Sequence, residues 1–460
     1  MELYNNLKKL SILIKEEVLN RYAAGNLEYS LQDYVVFETT IEDNGVYSTK
    51  NKKISVISWY ASYMDVLRDL EGNPDFIEIK DFLNECFQKN FNQIPTEGVR
   101  VFPMPEEIIK RFIFAYLYNH KVDDSEIESL IDILIKESEG KPLKYEIKAE
   151  LKGIYLDINK IKINEQCTLR KPEKEDLIKY FHADVTINSF QKKEATCPSS
   201  ILEIEFEDIM DRSLFKLIDA IRILRLYKVG NVKCILSRTY SESFNFPEND
   251  LTSHVLCESI NNRDKEIAYT LTENDVEKIR DFWNTINYSI SNLDSKGYLS
   301  IAFERYNSAL KTEIGIFNNG SIERKITEAV MGLEILFLKD DESNRHLARK
   351  LSRRISKFMK LIGYQNLDHE TLIEIAYDIR SEYLHMGKLR KETEDKLNQF
   401  YSLNEFVKVI IDYLRVSLIV LLIIDKDRDY ILNLIIGSLN NGRTEDKILF
   451  NIFADVKGFI

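Results

Sequence analysis

The chain has 460 residues, 44% hydrophobic and 30% charged, with a formal net charge of −12. That length supports two or three domains with ordinary cores, and the acidity excludes a protein that coats nucleic acid indiscriminately, so any RNA contact has to be local. The cysteines, Cys86, Cys167, Cys197, Cys234 and Cys257, are odd in number, widely spaced and without a C-x-x-C pair. This argues against a disulfide framework or a zinc site and for a reducing cytoplasm.

The first segment, MELYNNLKKLSILIKEEVLNRY, places charges among apolar residues at helical spacing and lacks the apolar core and cleavage site of a signal peptide. Helical spacing recurs in Leu7 to Tyr22, Phe76 to Phe91 and Glu106 to Tyr118, while VVFETTI and KKISVISWY alternate with the period of strands. Pro105 ahead of Glu106-Glu107 marks a helix start. Residues 1–143 therefore read as a mixed, mainly helical domain, with Trp59, Tyr60 and Tyr63 as core residues more readily than as a ligand box. From 144 to 270 the texture is α/β: LKYEIKAELKGIYLD, INKIKI and SILEIEFED as strands, Ser213 to Tyr227 as an amphipathic helix, a turn at Lys228 to Val232, then the strand VKCILSRTY. His182 and His254 are isolated, as structural histidines are.

Residues 271–460 read as a helical domain, opening on a helix over Glu273 to Ile290. The helix over Ile322 to Leu338 carries Glu334 in an otherwise apolar stretch, so that carboxylate needs a partner, with the arginines of the following helix as the obvious source. In Arg345 to Ile362, Leu347, Leu351, Ile355, Phe358 and Ile362 fill an arc of about 80°, opposite Arg345, Arg349, Arg353, Lys357 and Lys360. Such a face is either simply solvated or a row of phosphate contacts. Phe406 to Ile424 is apolar apart from Lys408, Asp412, Arg415 and Ser417; these interrupt any membrane span, and the helix is expected to be largely buried, either as the last helix of the bundle or partly against another copy.

Between those helices lies ETLIEIAYDIRSEYLHMGK, Glu370 to Lys388. Leu372, Ile375, Ala376, Ile379 and Tyr383 gather on one side of a helix. Glu374, Asp378, Ser381 and His385 form a polar stripe within about 60°, and Arg380 lies about 100° from Ser381, a gap its long side chain could cross. Gly387 places His385 in the last turn. The pair Arg380 and His385, R-x4-H, suits metal-free phosphodiester cleavage: an imidazole can take the proton of a 2′-OH or give one to the leaving oxygen, and a guanidinium binds phosphate in a planar fork. The same spacing also describes a helix-ending histidine beside a surface arginine.

Four ordered segments add context: ERYNSAL from Glu304, EAVMGLEILFL from Glu328, RHLARKLSRRI from Arg345, and YDIRSEYLHMGK from Tyr377. Together they resemble the Apea-like branch of the HEPN superfamily of ribonucleases and RNA-binding domains, over about a third of the chain from Tyr298 to Ile424. The acidic strand, helix and K-x-G-N turn before them look like what often precedes the HEPN part in such proteins. Tyr377, Arg380, His385 and Gly387 fit the family pattern, while Ser381 stands where a larger polar residue such as asparagine is common.

The resemblance implies an α+β, predominantly α protein with a C-terminal HEPN-like helical bundle behind mixed α/β domains. It implies Arg380 and His385 as catalytic residues; beside them Ser381 and Asp378 of the polar stripe read as orienting residues, and Arg345, Arg349, Arg353 and Lys357 of the basic face, with Lys388, as RNA contacts. It also implies two-fold pairing into a homodimer and a toxin-like role in antiviral, abortive-infection defence, with a phage-derived or nucleotide trigger at the N-terminal domains. Neither a metal nor another cofactor is expected, since no ligand cluster has the required spacing. The alternative is a non-catalytic HEPN-type module that binds RNA or a nucleotide, or only dimerises.

Overall fold

The computed structural model describes residues 1–41, 47–91, 105–118, 124–182, 198–209, 212–242, 255–256, 267–311, 321–339, 346–364, 368–386, 389–424, 426–440, 442–454 and 456. The protein is α+β and predominantly helical, and it divides into two compact units. The first contains residues 1–150, 165–217 and 234–258; the second contains 151–164, 218–233 and 259–460.

In the first unit, helix α1 (Glu2–Ala23) buries Leu7, Leu10, Ile14 and Val18, a three- and four-residue repeat that places one stripe in the core. The same core takes Val66 of α2 (Tyr60–Leu70), Phe76 and Leu83 of α3 (Pro74–Phe91), Phe112 of α4 (Pro105–Tyr118) and Ile131 of α5 (Asp124–Ser138). Helix α4 begins at Pro105, where a missing N–H costs no intrahelical bond.

Strands β1 (Ser30–Ile41) and β2 (Tyr47–Ser58) pair antiparallel from Ser30↔Ser58 to Ile41↔Tyr47. The other edge of β1 takes β7 (Ile178–His182). A second sheet carries β10 (Val255–Leu256), β9 (Lys233–Ser241), β3 (Leu143–Lys152), β8 (Ser200–Asp208) and β6 (Cys167–Arg170), in that order. Leu143, Tyr145, Ile147 and Ala149 of β3 are buried at every second position, as a half-buried strand requires. Tyr145 stacks on Phe206 of the neighbouring strand at 5.2 Å.

The second unit is the helical bundle that positions the candidate site. Its long helix α13 (Leu403–Ile424) buries 14 residues within its own chain. Against it pack α7 (Val276–Ser291), α8 (Gly297–Leu310) and α9 (Ser321–Phe337). Gly332 makes the α9 contact possible, because a Cβ there would lie 2.6 Å from Leu414 Cδ2. The bundle also buries the end of α6 (Ser213–Tyr227). Each of its last four carbonyls finds a donor: Tyr269 Oη to Leu224 O at 2.7 Å, Tyr306 Oη to Arg225 O at 2.6 Å, and Arg415 Nη1 to Leu226 O at 2.7 Å and Tyr227 O at 3.1 Å. This accounts for the buried Arg415, whose charge is met by Asp412 at 2.6 Å.

The burial of α13 agrees with the expectation from its apolar sequence, whereas its place in the chain order does not. Of the two expected settings for this helix, burial inside its own bundle is the one the chain itself supplies. It is not the last helix of the bundle: α14 (Arg428–Leu439) and α15 (Arg443–Ala454) follow, and α15 packs on it. No helix among the described residues is long and apolar enough to cross a membrane.

Candidate functional site

The candidate site is built on α11 (His369–Met386). The helix starts where Asp368 accepts hydrogen bonds from the Thr371 N–H at 3.3 Å and its hydroxyl at 2.7 Å, which hold the Asp368 carboxyl below its ordinary value. His369 is buried, with Nδ1 2.6 Å from the Tyr413 hydroxyl and Nε2 against the Tyr364 carbonyl. A carbonyl only accepts, so Nε2 is the donor and Nδ1 faces the hydroxyl as acceptor. Leu372, Ile373, Ile375, Ala376 and Ile379 form the buried face, and Glu374, Asp378, Ser381 and His385 lie on the exposed to half-buried side. The polar stripe is therefore present.

Arg380 does not reach across to that stripe. Its Nη2 lies 3.1 Å from Glu334 Oε2 in the last turn of α9, with the two side chains 22% and 18% exposed. The guanidinium also sits 5.5 Å from the centre of the Tyr377 ring. Its Nε is buried and has no hydrogen-bond partner among the described residues. Burial pushes the Glu334 carboxyl up, and Arg380 opposes that rise. Burial, then the Glu334 charge, pushes the Tyr377 hydroxyl up.

The need of Glu334 for a cation was correctly legible, but its expected source was wrong. In the next helix, α10 (Leu347–Ile362), Arg349 and Arg353 are exposed, and Arg354 donates instead to the Phe337 carbonyl at 2.8 Å. The reason is packing: α9 lies along α11 far more extensively than along α10. Arg354 and Arg428, the latter donating to Ile335 O at 3.0 Å, satisfy carbonyls at the end of α9 and leave the carboxylate to Arg380.

Among the described residues, Asp378, Ser381 and His385 are neither hydrogen-bonded nor ion-paired to Arg380. Asp378 is half-buried, and burial raises its carboxyl; the charges it feels, Lys396, Glu382, Glu392 and Arg390, come from its own helix and from α12 (Lys391–Asn398) with its leading residue. His385 is exposed in the last turn. Five residues on an α-helix amount to about 140° of rotation and about 7.5 Å of rise, so the imidazole and guanidinium leave α11 in different directions.

Sequence reasoning missed Glu382. It is 6% exposed and accepts hydrogen bonds from the Arg390 N–H and the Thr393 hydroxyl, both at 2.7 Å, which tie the start of α12 to the last turn of α11. No local pattern announces it, because its partners are 8 and 11 residues away beyond a turn.

Of the five expected RNA contacts, Arg349 and Arg353 are exposed on α10, as is Lys360, and Leu351, Ile355, Phe358 and Ile362 on the opposite side are buried. Lys357 is a correction: it is half-buried and paired with Asp446 of α15 at 2.6 Å, because α15 packs against this end of α10. Arg345 and Lys388 lie outside the described residues, as do Gly387, Cys197, Cys257 and His254. Cys167 and Cys234 are buried and Cys86 is half-buried.

In the first unit a cavity of about 770 Å³ is lined by Glu146, Glu165, Glu205, Glu207 and Glu242 beside Tyr145 and Phe206. Its five glutamates outnumber Lys144 and disfavour an anionic ligand there. Among the described residues no three His, Cys, Asp or Glu side chains group as metal ligands. No family model, curated protein or solved structure matches the chain.

Proposed function

We propose that the second unit is a metal-independent endoribonuclease that cleaves RNA through attack of the ribose 2′-OH. The observation that carries this reading is the arrangement on α11: a half-buried guanidinium held by Glu334 and Tyr377, an exposed imidazole at the helix end, and the open cations Arg349, Arg353 and Lys360 on the helix packed beside it. In this reaction His385 takes the 2′-OH proton or protonates the departing 5′-oxygen, and Arg380 stabilises the charge on the phosphorane. The products are a 2′,3′-cyclic phosphate and a 5′-OH.

Because the two side chains diverge by about 140° on one helix, a composite site formed by two copies across a two-fold axis is the arrangement that brings both to one phosphate. By resemblance, the biological role is that of a toxin-like effector in antiviral defence. A second reading is favoured by the Arg380–Glu334 pair itself: a guanidinium already neutralised by a carboxylate is what a non-catalytic binding or dimerisation module would also show.

One experiment separates them. Purified protein is incubated with mixed RNAs in excess EDTA, beside His385→Ala and Arg380→Ala, with the oligomeric state followed by light scattering across dilution. The nuclease reading expects cleavage without metal, its loss in both variants while they remain dimeric, and falling specific activity as the dimer dissociates. Cleavage that requires added magnesium, or that persists in His385→Ala, overturns it.

A further inference from the structure

We infer that Glu334 is a positioning residue that competes with phosphate for Arg380, holding the guanidinium until a phosphodiester takes its place and then accepting a proton. This rests on the reading of Arg380 as the phosphate ligand of the site, and deepens it by assigning how that ligand is kept and released.

The geometry gives the reasons. Arg380 Nη2 and Glu334 Oε2 are 3.1 Å apart, and both side chains keep about a fifth of their surface open, so an anion can approach the pair from solvent. The guanidinium has donors on one plane, and its Nε makes no bond among the described residues, so Glu334 satisfies only part of its fork. A carboxylate and a phosphodiester both want that fork, and they repel one another when both are charged.

Arg349, Arg353 and Lys360 of α10, which also packs against α9, are exposed, and other charged groups around α9 have partners of their own. Arg305 of α8 pairs with Glu328 at 3.0 Å, Arg354 and Arg428 serve the end carbonyls of α9, and Asp412 and Arg415 of α13 pair with each other. Arg380 and Tyr377 of α11 are what face Glu334. Burial favours the neutral form of the Glu334 carboxyl and Arg380 opposes it. When phosphate draws Arg380 away, that opposition weakens and a new negative charge arrives, and both changes move a proton onto Glu334. The proton comes from solvent, and no covalent bond is made or broken. Phosphate binding should therefore strengthen as pH falls, and a neutral isostere at 334 should behave like the protonated carboxyl at every pH.

The test uses the full-length protein and a fluorescent single-stranded 2′-deoxy oligonucleotide, which presents phosphates without the 2′-OH nucleophile. Affinity is measured by anisotropy between pH 5 and pH 8 for the wild type, Glu334→Gln, Arg380→Ala and the double variant. Glu334→Gln should bind about five- to tenfold tighter than the wild type at pH 8, with the gap closing toward pH 5. In the Arg380→Ala background the same substitution should change nothing, which a merely structural role for Glu334 would not produce.

A second measurement leaves Glu334 unaltered. In His385→Ala, where the other candidate proton acceptor is gone, calorimetry in two buffers of different ionisation enthalpy should show proton uptake on oligonucleotide binding. Glu334→Gln binding no tighter than wild type, tightening that survives in Arg380→Ala, or no uptake in His385→Ala each overturns the inference. Cleavage of RNA without tightening in Glu334→Gln removes this inference alone; tightening without cleavage by the wild type removes the nuclease reading alone.

Discussion

The Thr393 hydroxyl donates a 2.7 Å hydrogen bond to Glu382 Oε1, fastening the start of α12 to the last turn of α11, the turn that carries His385. The second carboxylate oxygen accepts from the Arg390 N–H at 2.7 Å, so one buried side chain serves two donors. Replacing Glu382 by alanine leaves both donors without that partner. The expected cost is about 2–3 kcal/mol of unfolding free energy, read from urea midpoints, with faster amide exchange at Arg390. A loss under about 0.5 kcal/mol would mean that water replaces Glu382 without penalty.

The basic face of α10 divides into two parts that mutagenesis can tell apart. Arg349→Glu, Arg353→Glu and Lys360→Glu alter exposed side chains and should leave the melting temperature nearly unchanged while weakening binding of single-stranded RNA. Each lost phosphate contact should flatten the log–log salt dependence of affinity by about 0.7. Lys357→Glu breaks the 2.6 Å pair with Asp446 and should act mainly on stability, by about 1 kcal/mol or less before repulsion is added. An unchanged salt slope in folded Arg349→Glu and Arg353→Glu proteins would make the face simply solvated.

Asp275 sets an acid limit on the second unit. Burial pushes its carboxyl up, but hydrogen bonds from Lys228 at 2.7 Å, the Thr272 N–H at 2.9 Å and hydroxyl at 3.0 Å, and Tyr227 at 3.0 Å outweigh it and hold the carboxyl at about 2. A carboxyl depressed in the folded state contributes stability that is complete above the ordinary carboxylate range and disappears as pH falls through about 2. Asp275→Asn should therefore be less stable than wild type at neutral pH, with the difference shrinking between about pH 4 and pH 2. A difference that is constant over that range in equilibrium unfolding would exclude charge as its origin.

Much of the architecture was legible because it depends on near neighbours. The repeat of Leu7, Leu10, Ile14 and Val18, the alternation of Leu143, Tyr145, Ile147 and Ala149, and the split of α10 into apolar and basic sides are all written within one or two turns of chain. The solvent side of α11 is legible for the same reason, and so is the need of Glu334 for a cation, since an unpaired carboxylate among apolar residues is costly wherever the helix packs.

Which cation it finds is a different kind of fact. Arg380 is 46 positions further along the chain, and it meets Glu334 because α9 lies along α11, a choice made by the summed packing of whole helices, including the close approach at Gly332. The same holds for Lys357 with Asp446, for Arg415 with the end of α6, and for Glu382 with Thr393. Periodicity by itself determined which face of each helix is wet or dry. Only the tertiary structure decided which polar groups, once half-buried there, became partners, because hydrogen bonds and ion pairs act over a few ångströms while the residues that form them are separated by a turn or by whole helices.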